Sequence, residues 1–395
     1  MTRHLAHVAH ILLTVSLGVG ALTSCHPSRQ DSASPHTQAA VAQLQHGVPS
    51  VVTRRADGVI LVNGQPFFPI GFYHVSWARS GTPERRQQDL ARLARAGFNI
   101  MITEPINDVD AANFQFLLKQ AQEAGVYIVP YHMTPENRQK ISAHPAILGF
   151  KIADDAHELT PRQVIVRRDE SKRAVPQKLT YISLSVARDR LETPFFGTAD
   201  VVGSQSYPIG NDDIGVTYQV MRNAVLSARQ KGTVPIANLQ SFLWGRRKPS
   251  PLELRNMTYQ ALMAGMKGVV YYAYRAREVD LNREPVMWST LQNVAREINF
   301  LSPYLLNGEI IPIQDGTRTQ PLAVYLRGES PEGQMKAFIL TLNNSRTADQ
   351  RVNLQLPEPA TQWKSLYTQG RPLSRNGQNV SGLLLPLQVA IYEVR

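Results

Sequence analysis

At 395 residues, the chain exceeds the usual size of a single domain, so two folded units are expected. Hydrophobic residues make up 43% and charged residues 18% of the chain, a balance typical of an ordinary globular core with a lightly charged surface. The formal net charge of +11 is spread over scattered basic pairs with no dense run, which argues against nucleic-acid binding and favours attraction to anionic polysaccharide or lipid headgroups.

An apolar segment near the start of the chain precedes the single cysteine. The stretch from Val8 to Leu22 is shorter than the roughly 20 residues that a membrane-spanning helix needs, but it is typical of a signal peptide. Its end, Leu22-Thr23-Ser24-Cys25, resembles the bacterial lipobox. The resemblance implies a signal peptide at residues 1–24, lipidation of Cys25 and export to the cell envelope, at the outer membrane in a Gram-negative cell. The alternative is an ordinary signal peptide in which Cys25 is incidental.

Residues 25–50 are predicted to form a flexible tether. This segment is rich in Ser, Gln, Ala and His, and it has no apolar periodicity. We expect it to separate the membrane anchor from the folded part of the chain, which begins near Val51.

Short apolar runs alternate with helical patterns from residue 51 to residue 309. A hairpin comes first, because Asn63-Gly64 supplies the tight turn between two apolar runs. Eight strand–helix units follow, and they match the roughly 250 residues typical of a (β/α)₈ TIM barrel. No G-x-G-x-x-G or P-loop motif supports a dinucleotide-binding sheet instead. The predicted strands are 68–73, 100–103, 127–131, 148–152, 180–186, 201–205, 235–239 and 269–274, and the predicted helices are 84–96, 110–124, 135–143, 161–173, 218–230, 252–265 and 287–305.

The apolar period changes to two after Gly308. Four runs, at 323–326, 336–342, 351–356 and 389–394, are separated by clusters of turn-forming residues. Residues 310–395 are therefore predicted to form an antiparallel β-sandwich domain.

Polar and aromatic residues follow most of the predicted barrel strands. The loops at the carboxyl ends of the strands carry the active sites of TIM barrels. Aromatic rings stack on the C–H faces of sugars, and carboxylates and amides bond to their hydroxyls, so this pattern favours an oligo- or polysaccharide as the partner. His132 has no second ligand at metal-binding spacing, and we predict neither a metal nor a cofactor. The candidate site residues are Tyr73, Glu104, Tyr131, His132, Asp154, Asp155, Tyr207, Gln240, Trp244, Tyr272, Tyr274 and Glu278.

The fourth predicted strand carries the most specific motif. The stretch from His144 to Asp155 reads H-P-A-I-L-G-F-K-I-A-D-D. It resembles the strand-4 motif of (β/α)₈-barrel glycoside hydrolases of the cellulase and β-galactosidase clan, which reads roughly H-P-A-I-L-G-W and ends in D-E-P. The resemblance implies that Asp155 is the general acid/base. Weaker similarity to the same clan occurs at 63–73, 96–99, 200–208 and 258–272.

The sequence departs from this clan at the residues that matter for catalysis. The acid/base position is Asp155 where the clan has Glu, and the nucleophile position after the seventh strand is Gln240. An amide cannot attack an anomeric carbon as a carboxylate does. A second catalytic carboxylate is therefore expected from Glu104 or Glu278.

Three functions remain open on the sequence. The first is an active glycoside hydrolase with Asp155 as the acid. The second is a catalytically degenerate barrel that binds carbohydrate. The third is a transferase or lyase that uses the same cleft. The first two differ in whether a carboxylate faces Asp155 across the cleft.

Overall fold

The structure is a computed structural model that describes residues 35–75, 83–106, 111–185, 194–276, 279–367 and 370–394. These residues belong to one compact unit. The predicted signal peptide and Cys25 lie outside the described residues. Within the described part, no helix has the length and apolar character needed to cross a membrane.

A helix precedes the barrel, which corrects the prediction of a flexible tether as far as residue 50. Helix α1 (Pro35–Gln45) buries Ala40 and Leu44. The Tyr127 hydroxyl donates a 2.9 Å hydrogen bond to the Ala40 carbonyl. The sequence of the segment has no repeating apolar stripe of the kind that marks an amphipathic helix. The buried positions Ala40 and Leu44 are four residues apart, which places them on one face of the helix.

A small antiparallel sheet links α1 to the barrel. It consists of β1 (Val52–Arg54), β2 (Ile60–Val62) and β3 (Gln65–Phe67). The predicted Asn63-Gly64 turn is confirmed, since both residues have positive φ, at 49° and 80°. This sheet is separate from the barrel wall, although its residues were assigned to the barrel segment.

Eight parallel strands close into the predicted barrel. Each strand pairs with the next one along the chain, and the last strand pairs with the first to complete the ring. The predicted (β/α)₈ fold is confirmed. The barrel strands are β4 (Ile70–Val75), β5 (Ile100–Pro105), β6 (Tyr127–Tyr131), β7 (Gly149–Ala153), β8 (Leu179–Ser185), β9 (Val201–Ser206), β10 (Val234–Gln240) and β11 (Val269–Ala276).

Helices follow seven of these strands among the described residues. Two of them begin with a capping box, in which Thr160 pairs with Gln163 and Ser250 pairs with Glu253. Residues 194–200, between β8 and β9, form turns and bends in place of a helix. The helices are α2 (Pro83–Arg95), α3 (Ala111–Ala124), α4 (Pro135–Ser142), α5 (Pro161–Ala174), α6 (Val216–Lys231), α7 (Pro251–Ala264) and α8 (Pro285–Asn307), and the short strand β12 (Val279–Asp280) precedes α8.

The C-terminal part is the predicted β-sandwich. A five-stranded antiparallel sheet and a three-stranded antiparallel sheet enclose one core, to which Tyr325 and Ile339 contribute from the first sheet and Val352 and Val380 from the second. The first sheet has the order β13 (Glu309–Gln314), β14 (Leu322–Glu329), β15 (Met335–Leu342), β20 (Val389–Val394), β17 (Trp363–Ser365), and the second has the order β16 (Gln350–Gln355), β19 (Asn379–Leu384), β18 (Ser374–Asn376).

A buried lysine at the amino end of the barrel gives a first testable prediction. The Lys178 ammonium donates to the Ser50 carbonyl (2.7 Å), the Ser50 hydroxyl (2.6 Å) and the Ile147 carbonyl (2.7 Å). Burial lowers the pKa of Lys178 to about 7, whereas an unfolded chain keeps its lysines protonated up to their ordinary pKa of 10.5. The folded protein therefore binds fewer protons between these two values, and its stability should rise with pH in that window.

We expect the wild type to gain stability relative to Lys178→Met as the pH rises from 7 to 10, by up to about 1.4 kcal/mol per pH unit. Urea denaturation of both proteins across this range measures the difference. Lys140→Met, which changes an exposed lysine, should give a profile parallel to the wild type. Parallel profiles for Lys178→Met as well would contradict the assignment.

Candidate active site

The carboxyl ends of β4, β6, β7 and β8 bring a cluster of polar and aromatic side chains into the barrel. Lys151 on β7 is in register with Tyr131 on β6 and with Tyr181 on β8. Residues in register on neighbouring strands share a face, so these three side chains form one inward-facing layer. Tyr73 reaches the same layer from β4, where its ring lies 6.1 Å from that of Tyr181.

Asp154 is held at the end of β7 by three donors. Its Oδ1 atom accepts hydrogen bonds from the Tyr73 hydroxyl (3.0 Å) and the Ser183 hydroxyl (2.5 Å), and it lies 2.8 Å from the Lys151 ammonium. Charge-assisted hydrogen bonds favour the ionised carboxylate. The Asp154 side chain is 30% exposed, so this anion reaches the open end of the barrel.

Lys151 is a site residue that the sequence analysis missed. Its side chain is 0% exposed, and its ammonium lies 4.1 Å from the centre of the Tyr73 ring and 4.2 Å from that of Tyr131. Burial lowers the pKa of Lys151 to about 8, and the charge of Asp154 opposes that shift. The sequence feature that could have identified Lys151 is its position in the middle of an otherwise apolar barrel strand. A charged residue is buried at such a position only when it has a partner.

Asp155 has a strained backbone and a fixed side chain. Its φ and ψ are 41° and 53°, in the left-handed region that residues other than glycine rarely occupy. Its N–H donates to the Ser183 hydroxyl at 3.0 Å, and its Oδ1 atom accepts a 2.7 Å hydrogen bond from Gln205 on β9. The amide that positions Asp155 is thus that of Gln205.

A cluster of aromatic rings beside the two carboxylates runs from the buried Tyr73 to the half-exposed Trp244. Tyr272 lies between Tyr73 and Tyr207, with ring-centre distances of 6.0 and 6.4 Å. The Tyr207 ring also contacts Phe242 at 5.2 Å and Trp244 at 6.5 Å, and Trp244 is 51% exposed. We call these five residues the aromatic wall. Four of the five, Tyr73, Tyr207, Trp244 and Tyr272, were predicted to contact substrate.

The tyrosine hydroxyls of this site remain protonated. Burial raises the pKa of Tyr73 and of Tyr207 well above the ordinary value, and the negative charge of Asp154 adds to the shift in both. Both hydroxyls therefore keep their protons, and the proton of Tyr73 is donated to Asp154.

Tyr131 and His132 lie at the end of β6. The half-buried Tyr131 ring covers the Lys151 ammonium, so this residue supports the charged pair. His132 is exposed, has a φ of 62°, and lies with its ring centre 5.8 Å from that of Tyr131. His132 therefore belongs to the rim of the site.

Two predicted substrate-binding residues are directed elsewhere. The Gln240 amide is buried, accepts from the Ile209 N–H (2.9 Å) and donates to the carbonyls of Ile209 (3.0 Å) and Phe242 (3.3 Å). It holds the loop after β9, so the described hydrogen bonds of Gln240 are to the backbone, and its substrate contact stays a prediction. Tyr274 is also buried, and its hydroxyl donates to Asp89 on α2 at 3.1 Å.

A local irregularity in β11 explains why the Tyr274 side chain faces the helices and not the inside of the barrel. Strict alternation along β11 would place Tyr274 on the inward face with Tyr272. The pairing of β11 with β4 shifts register between Tyr272 and Arg275, and this irregularity turns Tyr274 toward the helices.

The two candidates for a second catalytic carboxylate remain predictions. Glu104 lies on β5, but its side chain is outside the described residues, as is all of Glu278. In the described ranges, no group of three or more His, Cys, Asp or Glu residues is arranged to hold a metal ion.

A separate cavity of about 480 Å³ lies away from the carboxylates. It is lined by residues of α6 and β13 and by Thr233 and Pro235 at the amino end of β10. Because TIM-barrel active sites occur at the carboxyl ends of the strands, this cavity is on the wrong end of the barrel for the chemistry of Asp155.

The sequence matches no family model and no curated protein. By structure, the chain is similar to a glycoside hydrolase of family 5 from Bacteroides vulgatus ATCC 8482, with a TM-score of 0.61, 13% identity, and coverage of 88% of this chain and 93% of the other. An alpha-amylase from Anoxybacillus gives a TM-score of 0.57 at 11% identity, over 87% and 99% of the two chains. For a GH2 beta-galacturonidase from Eisenbergiella tayi, the chain spans only 54% of that protein's length, at 17% identity and a TM-score of 0.48. The chain thus has the (β/α)₈-barrel fold found in glycoside hydrolases.

Proposed function

We propose that the protein is a glycoside hydrolase acting on a polysaccharide of the cell envelope or its surroundings, with Asp155 as the general acid/base. The observation that carries this proposal is the conformation of Asp155. Its backbone is strained at a strand end, and its carboxylate is fixed by Gln205 beside the ionised Asp154. Strain of this kind persists where the surrounding structure enforces it, most often at functional sites.

The two neighbouring carboxylates have different environments and suit different roles. One oxygen of Asp154 lies against the Lys151 ammonium and accepts hydrogen bonds from two hydroxyl groups, and these contacts favour the carboxylate anion. The Asp155 carboxylate accepts its hydrogen bond from a neutral amide, that of Gln205. Pairs of carboxyl groups with divergent environments are the usual basis for acid and base assignments in glycoside hydrolases.

The aromatic wall suits a sugar as the ligand. The C–H faces of a pyranose ring stack on aromatic rings, and the neutral hydroxyl of Tyr207 can bond to sugar oxygens. Trp244, which is half exposed, extends this surface outward. The net charge of +11 would increase the local concentration of an anionic polysaccharide.

A combined cleavage and binding screen tests the proposal. The purified wild type is incubated with bacterial exopolysaccharides, cell-wall glycans and plant glucans, and the release of reducing ends is measured together with binding. We expect cleavage of at least one polymer. Tight binding without cleavage by the wild type would instead support the carbohydrate-binding alternative and contradict the proposed hydrolase activity.

We further propose that the protein is exported and anchored by a lipid on Cys25, based on the lipobox-like Leu22-Thr23-Ser24-Cys25. Cys25→Ser should move the protein out of the membrane fraction and abolish labelling with radioactive fatty acid, because the thiol is the site of acylation. Ser24→Ala keeps a small residue before the cysteine and should leave both properties unchanged. Membrane association and labelling that survive Cys25→Ser would refute the anchor.

A further inference from the structure

The position after β10 lacks a usable nucleophile. Retaining glycoside hydrolases place two carboxyl groups about 5 Å apart, on opposite sides of the scissile bond. Here the residue at that strand end is Gln240, and its amide is already bonded to the backbone of Ile209 and Phe242. This side chain is a structural part of the loop after β9 and is chemically unable to form a glycosyl ester.

Among the residues that the structure describes, the carboxylate beside Asp155 is on the same strand end. Asp154 and Asp155 are consecutive residues after β7, so both approach a bound sugar from one side. Asp154 also has Lys151, Tyr73 and Ser183 on one oxygen, which fixes the side chain in place and makes it a poor nucleophile. A fixed anion of this kind is well suited to stabilise positive charge on a reaction intermediate.

We propose that the nucleophile is carried by the substrate, and that the enzyme cleaves glycosides of 2-acetamido-2-deoxy sugars. The acetamido oxygen attacks the anomeric carbon, Asp155 protonates the departing oxygen, and Asp154 accepts a hydrogen bond from the acetamido N–H. This inference rests on the proposed glycoside hydrolase function and names the substrate class of the same site. Substrate-assisted hydrolysis is an established alternative to the two-carboxylate mechanism.

The two steps balance without any co-reactant besides water. In the first step, a bond forms between the acetamido oxygen and C1, the glycosidic C1–O bond breaks, and the Asp155 proton passes to the leaving oxygen. The product is a cyclic oxazolinium ion whose positive charge faces the Asp154 carboxylate. In the second step, water attacks C1 and gives a proton to Asp155. The bond between C1 and the acetamido oxygen, which closed the oxazolinium ring, breaks, and the acetamido group is restored. The anomeric configuration is retained.

Lys151 acts as a positioning residue in this scheme. Its ammonium is buried beneath Asp154 and enclosed by the Tyr73 and Tyr131 rings, so it cannot contact the sugar itself. It fixes the orientation and the charge of Asp154. We therefore expect Lys151→Met to lower kcat with little change in KM, since the sugar contacts of the aromatic wall remain.

Matched substrates provide the decisive test on the wild type. We would assay 4-nitrophenyl glycosides of N-acetylglucosamine and N-acetylgalactosamine against the corresponding glucoside and galactoside. We expect cleavage only of the acetamido glycosides, with retained configuration by NMR. Replacing the acetyl group by mono-, di- and trifluoroacetyl should slow cleavage progressively, because each fluorine makes the carbonyl oxygen less nucleophilic. Asp154→Asn should lower kcat on the acetamido substrate by about 100-fold or more.

The outcomes separate this inference from the proposed function. Comparable cleavage of glycosides without an acetamido group, or rates insensitive to fluorination, would overturn the inference and leave the glycoside hydrolase intact. A loss of activity in Glu104→Gln or Glu278→Gln as large as that in Asp155→Asn would also overturn it, since a protein carboxylate would then be the nucleophile. Absence of cleavage of every glycoside and every polysaccharide would refute both.

Discussion

Asp155→Asn lowers kcat on any cleaved glycoside by about 10³-fold, within the range that general acid catalysis contributes. The asparagine side chain has the shape of aspartate but no transferable proton at neutral pH. It keeps an oxygen at the position that accepts the hydrogen bond from Gln205, so the loop should remain in place. We therefore expect nearly unchanged stability and substrate binding. Initial rates, thermal unfolding and equilibrium binding of the same preparation measure the three effects.

Glu158→Gln provides the matched control for this variant. Glu158 is also a carboxylate in the loop after β7, but it is exposed and lies three residues beyond Asp155. Its amide variant should retain wild-type kcat. Equal activity of the wild type and Asp155→Asn would remove Asp155 from the chemistry, and a comparable loss in Glu158→Gln would move the acid to that residue.

Arg255→Leu should lower the free energy of unfolding by about 3–5 kcal/mol, the usual cost of removing one partner of a buried ion pair. The Arg255 and Glu297 side chains are both buried and lie 3.0 Å apart. Arg255 also donates to the carbonyls of Val389 (3.2 Å) and Tyr367 (2.6 Å), so this one residue of α7 joins the barrel helices to the β-sandwich. Its loss leaves a buried carboxylate and two carbonyl groups without the hydrogen bonds that Arg255 donates.

The pH dependence of this loss identifies its cause. Burial raises the pKa of Glu297, and Arg255 and the Tyr259 hydroxyl oppose that shift. Without Arg255, the pKa of Glu297 should rise further, so the folded variant should bind a proton on Glu297 more readily than the folded wild type does. The destabilisation of Arg255→Leu should therefore shrink as the pH falls from 8 to 5. Urea denaturation at several pH values measures it.

Arg222→Leu is the control for this second experiment. Arg222 pairs with Asp315 at 3.0 Å, but both side chains are largely exposed to solvent. Such surface pairs contribute about 0–1 kcal/mol, so this variant should remain close to the wild type at every pH. A pH-independent loss in Arg255→Leu, or a loss as small as that of Arg222→Leu, would show that the buried pair does not hold the two parts together.

The sequence alone determined the barrel and the sandwich. Their signals are local: apolar runs of strand length, helical patterns that end at Gly97 and Gly125, and the Asn63-Gly64 turn. Backbone preferences of this kind act over a few residues and are readable without the fold. The strand-end position of Asp154 and Asp155 follows from the same reasoning, because the barrel fixes where the carboxyl ends of its strands lie.

Only the tertiary structure decided which side chains meet. Lys151 pairs with Asp154, and Gln205 holds Asp155 from two strands away, because inward-facing residues converge from strands distant in sequence. Gln240 and Tyr274 occupy the predicted strand ends and yet serve the loop and the helices, since a backbone partner and a register shift redirect them. Helix α1 has good helix formers such as Ala and Gln, but its sequence shows no apolar periodicity, so only the structure shows that Ala40 and Leu44 are buried. Pairings of this kind depend on distances that the chain acquires only on folding, so composition and periodicity carry no record of them.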